Sequence, residues 1–254
     1  MLFQLLDLNR LNSATKYPSI LTYHRMADKG CLSEELSFPV PTGNLRYSEK
    51  IDGTNTRLIV NSEGDFIVGS RNDLLWFSGD LLHNPAQSIV DVVREIAFGM
   101  EEPDEGFVRV YYGESYGGKI SSQSKQYTNT GEVDFKLFDV VEFTEDELHD
   151  ILSKSPEEIA LWRENGGQPF WTHEQLEDLG FPLAPRLPFD GALPTDHQEV
   201  LDWLQGILPK TQCLLDPAGK GEPEGVIVRN DDRSFIVKIR YQDYQRTLKQ
   251  RMRR

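Results

Sequence analysis

Cysteine is nearly absent from this chain of 254 residues: only Cys31 and Cys213 occur, with no C-x-x-C pair. Neither a disulfide framework nor a cysteine-rich metal site organises such a sequence. Histidine is also scarce, and His24, His83, His149, His173 and His197 are scattered without metal-ligand spacing; they read as surface or packing residues. No apolar run approaches the roughly 20 residues that span a bilayer, so no membrane partner is expected. The opening Met1-Leu2-Phe3-Gln4-Leu5-Leu6-Asp7 is apolar but lacks a basic leader and meets an acid early. A secretory signal is therefore not expected, and the expected location is cytoplasmic. Positive charge is in short supply as well: 27 Lys and Arg stand against 41 Asp and Glu, a net charge of −14. That balance argues against a protein that coats nucleic acid non-specifically, but local charge decides contact, so a nucleic-acid enzyme stays open.

What is present fits a globular protein. A hydrophobic content of 38% with 10% aromatics and a length of this order support one large domain or two small ones. Acids concentrate over 142–199, whereas the tail over 238–254 is basic, with Lys238, Arg240, Arg246, Lys249, Arg251, Arg253 and Arg254. A solvated helix face and a phosphate-tracking face account for that tail equally well.

Residues 1–44 mix short apolar pieces with Pro18, Pro39, Pro41 and Gly43 and read as a lead-in or cap on a domain spanning 45–254. A short strand over 45–48 runs into a turn. Arg57-Leu58-Ile59-Val60 and Asp65-Phe66-Ile67-Val68 flank Asn61-Ser62-Glu63-Gly64, a hairpin signal. Ile89, Val92, Val93, Ile96 and Ala97 follow Pro85 at helical spacing. The segments 107–114 and 133–143 are strands by their β-branched and aromatic content. Four helices are expected over 145–152, 156–163, 172–179 and 196–205, then a hairpin over 225–229 and 234–240, then a helix from Gln242. The fold class is α+β, with antiparallel sheet and helices grouped in the second half.

The segment Glu49-Lys50-Ile51-Asp52-Gly53-Thr54-Asn55 holds a lysine at the edge of a glycine turn. A lysine attacking phosphorus must lose its proton, which nearby cations or desolvation allow. The phosphate needs positive charge to offset the negative charge that develops on it. Glycine beside the lysine lets the backbone approach a nucleotide closely. Further parts follow in order: Gly113-Glu114 at a strand end, Phe138-Asp139 on a strand, Glu224-Gly225-Val226-Ile227-Val228 at a strand mouth, and Lys238-Ile239-Arg240 with two cations on one strand face. Each has a plain alternative. K-x-D-G is more often an ordinary turn, a strand-end Glu is usually solvated, Phe138 alone is more often core than a stacking plate, and K-x-R is a common charged strand edge. Five such parts in this order are hard to ascribe to chance.

With these residues the chain resembles the nucleotidyltransferase domain shared by RNA ligases, ATP-dependent DNA ligases and mRNA capping enzymes, and within it the RNA ligase 2-type branch. The resemblance covers 47–240. It implies an ATP-grasp-like antiparallel-sheet ligase domain. It further implies that Lys50 carries the covalent AMP, with Glu49 beside it in the nucleotide site. Glu114 would contact the ribose and Phe138 would pack on adenine. Glu224 would position the metal through water, with Asp52 as a second metal contact. Lys238 and Arg240 would be the paired cations on the α-phosphate. Asn55 resembles an asparagine used on the adenylylated strand, and Arg71, in Gly69-Ser70-Arg71-Asn72, an arginine that contacts phosphates. The branch usually carries a second lysine where this chain has Arg240, whose rigid fork is not a lysine's point charge.

The implied activity is that of an ATP-dependent RNA ligase using Mg²⁺ or Mn²⁺. It would join 5′-phosphate and 3′-hydroxyl RNA ends, free or at a nick, through lysyl–AMP and a 5′-adenylylated RNA. Because the sequence runs only 14 residues past Arg240 (254 against 240), no C-terminal oligonucleotide-binding-fold domain is expected, and an RNA-repair partner protein could supply a grip. Alternatives are a DNA ligase, a GTP-using capping guanylyltransferase, and a catalytically silent nucleotide-binding adaptor of an RNA repair complex docking through 142–199. Trp162, Trp171 and Trp203 are expected to be packing anchors.

Overall fold

The computed structural model describes residues 3–78 and 89–252; Met1, Leu2, His83, Pro85, Arg253 and Arg254 lie outside the described residues. In chain order the first elements are α1 (Leu8–Ala14), β1 (Leu21–Thr22), β2 (His24–Met26), β3 (Leu32–Leu36), β4 (Arg46–Lys50), β5 (Thr54–Asn61), β6 (Phe66–Ser70) and β7 (Leu74–Phe77). Next come α2 (Ile89–Phe98), β8 (Phe107–Gly117), β9 (Val133–Thr144), α3 (Glu145–Leu152), α4 (Pro156–Glu164) and α5 (His173–Asp178). The last are β10 (Arg186–Leu187), α6 (His197–Ile207), β11 (Gly225–Arg229), β12 (Ile236–Arg240) and α7 (Tyr241–Arg251). The α+β class with antiparallel sheets and seven helices among the described residues agrees with expectation. A departure is β1, which runs parallel to β12.

The chain divides into two compact units: residues 1–19, 53–122 and 131–183 form the first, and residues 20–52, 123–130 and 184–254 the second. The stretch 1–44 is thus divided between them. The first unit is a five-stranded antiparallel sheet in the order β7-β6-β5-β8-β9. Because side chains alternate across a strand, β5 sends Ile59 to one face and Leu58 and Val60 to the other. One face packs on α1, α3 and α4 through Leu11, Leu148 and Ile159, the other on α2 and α5 through Val93 and Leu176. A sheet covered on both faces explains the unbroken apolar run of β5. Trp162 and Trp171 pack against these two cores, as expected.

Helix starts in this unit are written locally. Thr144, Ser155 and Thr172 each close a capping box with Glu147, Glu158 and Gln175. Many acids of 142–199 therefore sit in first helical turns, where they favour the helix dipole.

The second unit carries the five-stranded sheet β1-β12-β11-β4-β10 and the β2–β3 hairpin. Its apolar face is covered by α6 and α7 through Val200, Leu204 and Tyr244. Trp203 packs against this core too. His24 and His197 are buried here with ring centroids 4.4 Å apart, and His24 Nδ1 meets the Tyr244 hydroxyl at 2.8 Å. Both are packing residues. β4 and β12 alternate strictly between buried and half-exposed positions, so the sheet's other face stays polar.

One buried cation ties the first unit together. Arg57 on β5 is fully buried, and its guanidinium donates to the Asn12 carbonyl at 2.9 Å, to Thr15 Oγ1 at 3.1 Å and to Asn12 Oδ1. Desolvation is the main cause that pulls its pKa down to about 10. Arg57→Ala would leave those buried acceptors unpaired, and we expect a loss of about 3 kcal/mol in chemical denaturation.

Candidate functional site

In the second unit the register of three strands decides which side chains meet. Gly225 on β11 pairs with Lys50 on one side and with Arg240 on the other; Ile227 pairs likewise with Ser48 and Lys238. Residues opposite one another, and residues two apart, share a face. Lys50, Lys238 and Arg240 therefore stand together on the polar face. Lys50 and Arg240 are separated by two strand spacings, about 10 Å, with only glycine between them. That leaves a trough flanked by cations.

Lys50 Nζ donates to Glu224 Oε2 at 2.5 Å. Glu224 immediately precedes β11, so the pairing of β11 with β4 delivers the carboxylate to the lysine. Burial pushes the Glu224 carboxyl above its ordinary range, the Lys50 cation opposes that rise, and Asp52 adds to it. Asp52, two residues past Lys50, is likewise raised by burial, against the pull of Lys50 and Arg240. Its backbone N–H donates to the Tyr127 hydroxyl at 2.6 Å, and Tyr127 is itself buried. Arg240 is oriented from behind: its Nε and one terminal nitrogen donate to the buried Asp243 at 2.8 and 3.1 Å.

Glu49 points the other way. Strand alternation places it on the buried face, where it accepts from Thr211 Oγ1 and, at 2.8 Å, from the Gln212 N–H. Burial raises its carboxyl too, partly countered by those two hydrogen bonds. Its side chain anchors the segment before β11 and is not beside Lys50 Nζ.

The remaining candidates lie in the first unit. Asn55 and Glu114 are register partners on β5 and β8, and Lys136 on β9 pairs with Glu114. Glu114 Oε1 accepts from the Gly53 N–H at 3.1 Å. Asn55 Oδ1 is buried and unpartnered. Phe138 is half-buried and meets Tyr17 edge-on at 5.1 Å, while the Tyr17 hydroxyl donates to Asp139 at 2.6 Å. Arg71 is exposed just after Ser70, whose partner is Thr56.

A family model described as RNA ligase matches residues 44–243. The chain belongs to the RNA ligase family. No curated protein matches its sequence. Among solved structures, a Naegleria gruberi RNA ligase with pyrophosphate is 16% identical, with a TM-score of 0.45 over 81% of this chain and 52% of that one. A variant of that ligase with ATP and Mn is 12% identical, with a TM-score of 0.48 over 92% and 62%. An archaeal ATP-dependent RNA ligase is 16% identical, with a TM-score of 0.47 over 90% and 49%. The chain thus spans about half to three fifths of the length of these solved ligases.

For this RNA ligase family member, Tyr17, Tyr127, Thr211 and Asp243 escaped the sequence analysis. Tyr17, Tyr127 and Thr211 touch the motif residues from distant segments, whereas Asp243 follows Arg240 by three residues at the start of α7. Among the described residues no cluster of three or more His, Cys, Asp or Glu side chains is arranged for a metal ion. Asp52 and Glu224 remain, and two carboxylates completed by water and substrate phosphate are a usual Mg²⁺ arrangement. No helix among the described residues is long and apolar enough to cross a membrane.

Gly225 leaves no room for a side chain. A Cβ there would come within 2.1 Å of the Ile239 carbonyl oxygen and 2.8 Å of Arg240 Cα. Gly225→Ala must push β11 from β12; the expected loss is about 3 kcal/mol of stability in thermal melts.

Proposed function

We propose that the protein is an ATP-dependent RNA ligase that seals 5′-phosphate to 3′-hydroxyl RNA ends through a covalent lysyl–AMP on Lys50. The observation that carries this is Lys50 Nζ held by Glu224 on a polar sheet face that also bears Lys238 and Arg240, in a chain of the RNA ligase family.

In the first step Lys50 Nζ attacks the ATP α-phosphorus, the N–P bond forms, and the bond to pyrophosphate breaks. Glu224 is the carboxylate in contact with Nζ and takes its proton, as a base within hydrogen-bond reach can. Next an oxygen of the RNA 5′-phosphate displaces Lys50, giving the 5′-adenylylated strand. A 3′-hydroxyl then attacks its 5′-phosphorus and AMP leaves. Lys238 and Arg240 offset charge at phosphorus. Mg²⁺ or Mn²⁺, held by Asp52 and Glu224 through water, would add to that neutralisation. Glu114 is assigned to the ribose and Phe138 to adenine. Asn55, with its unpartnered buried Oδ1, and Arg71 are assigned to the adenylylated RNA strand. Glu49 acts from the buried face, holding the segment before β11.

Incubation with α-labelled ATP or GTP, then denaturation, tests the assignment. Label from ATP that disappears in Lys50→Ala is expected. Label from GTP alone indicates a capping enzyme, and no label from folded protein indicates an adaptor. Nicked RNA and DNA duplexes then separate the two kinds of ligase.

The rate of lysyl–AMP formation should also carry an acid limb. Glu224 must be ionised to accept the proton, and its carboxyl is raised by burial. The rate should therefore fall as pH drops, with a midpoint above the ordinary 4.5. Asp52→Asn removes a charge that raises Glu224, so the limb should move to lower pH; a limb that stays or moves up contradicts the role of Glu224.

A further inference from the structure

A cavity of about 500 Å³ in the second unit has Asp52 and Glu224, the partner of Lys50, in its wall. Its lining is unusual in chemistry. Five glutamines contribute: Gln123 and Gln126, Gln205 from α6, and Gln242 and Gln245 from α7. The last two are three residues apart and share a helix face. Gln126 Oε1 is buried without a partner, while its Nε2 donates to Glu222 at 3.1 Å. Among the described residues no lysine or arginine lines the cavity, and Asp52, Glu222 and Glu224 do.

This lining selects its occupant. Three carboxylates and no cation disfavour a bare phosphate. Glutamine amides present a carbonyl acceptor and two N–H donors each, the pattern that matches base edges and a ribose 2′-hydroxyl, which both donates and accepts. The volume lies within the range of small-ligand pockets and suits a nucleoside.

Cations gather next to the walls instead. Lys125 adjoins Gln126, Lys210 adjoins Pro209, and Lys220 is two residues from Glu222. Backbone hydrogen bonds join their segments: the Lys220 N–H donates to the Lys125 carbonyl at 3.0 Å, and the Thr211 N–H to Gly221 at 2.9 Å. Lys125, Lys210 and Lys220 are exposed, and none has an ion pair among the described residues. The second unit as a whole carries 17 Lys and Arg against 15 Asp and Glu, whereas the first carries 10 against 26. The acidity of the chain therefore resides in the first unit, and the second is open to a polyanion.

We propose that the glutamine-lined cavity receives the terminal nucleoside of the 3′-hydroxyl RNA strand, with Lys125, Lys210 and Lys220 on the phosphates leading to it. This rests on the ligase assignment above and names where that reaction takes its acceptor. It brings a 3′-hydroxyl to the wall formed by Glu224, the residue that holds Lys50.

The test uses the double variant Gln242→Ala/Gln245→Ala and the triple variant Lys125→Ala/Lys210→Ala/Lys220→Ala, all at exposed or rim positions, with thermal melts to verify folding. Lysyl–AMP formation should stay within about twofold of wild type. The KM for a 3′-hydroxyl acceptor, joined to a pre-adenylylated 5′ strand, should rise about tenfold in both variants, as removing roughly one good hydrogen bond or phosphate interaction per site predicts. The glutamine variant should also lose preference for a terminal ribose over 2′-deoxyribose. The lysine variant should flatten the salt dependence of binding, by about 0.7 in log–log slope for each phosphate no longer neutralised. Binding of a fluorescein-labelled single-stranded hexaribonucleotide to unadenylylated protein, read by anisotropy, should weaken in parallel.

Acceptor KM and RNA binding unchanged in both variants would overturn the proposal. So would a parallel fall in lysyl–AMP formation, since the cavity would then serve ATP. A protein that forms no lysyl–AMP but whose variants lose RNA binding as stated would overturn the ligase assignment and leave the nucleoside site supported.

Discussion

The pairing of β11 between β4 and β12 is the constraint on which the candidate site depends. Gly225 sits in that central strand between Lys50 and Arg240, and Glu224 is delivered to Lys50 by the same ladder. Backbone hydrogen bonds alone set this geometry, so the spacing of the cations does not rely on flexible side chains finding one another. Two-residue periodicity then separates roles cleanly. Lys50, Lys238 and Arg240 face the polar side, while Glu49, Val226 and Ile239 face the buried one.

Burial around this ladder shapes its electrostatics. Glu224, Asp52 and Glu49 all have carboxyls raised by desolvation, and the first two are opposed by cations on the polar face. Carboxyls perturbed by burial and by a specific charge partner are the kind found at functional sites. Glu49, with no cation beside it, is instead satisfied by Thr211 and the Gln212 backbone. Glu49 and its neighbour Lys50 thus do different work because the strand turns them to opposite sides.

The two units divide labour in charge as well as in sheet. The first covers both faces of its sheet with helices and holds all of the chain's excess acid. Many of those acids occupy helix caps and first turns, an account that needs no docking partner for 142–199. The second keeps one sheet face polar, with Lys50, Lys238 and Arg240 on it. An acidic protein can still offer nucleic acid a surface when its charge is distributed this way.

Local pattern by itself determined much of this fold. The 61–64 turn and the apolar periodicities placed most helices and strands to within a few residues, and the structure shows three of those helices closed by capping boxes at Thr144, Ser155 and Thr172. Alternation along Lys238-Ile239-Arg240 already put two cations on one face. The motif residues were legible because each is a short string at a strand end. What the sequence alone did not determine is where β4 lies relative to β11 and β12, residues separated by more than 170 positions. Only that tertiary pairing brings Glu224 to Lys50 and clears a trough at Gly225. The same holds for Tyr17, Tyr127 and the five glutamines, which carry no local signature: their chemistry exists only once distant segments close around it.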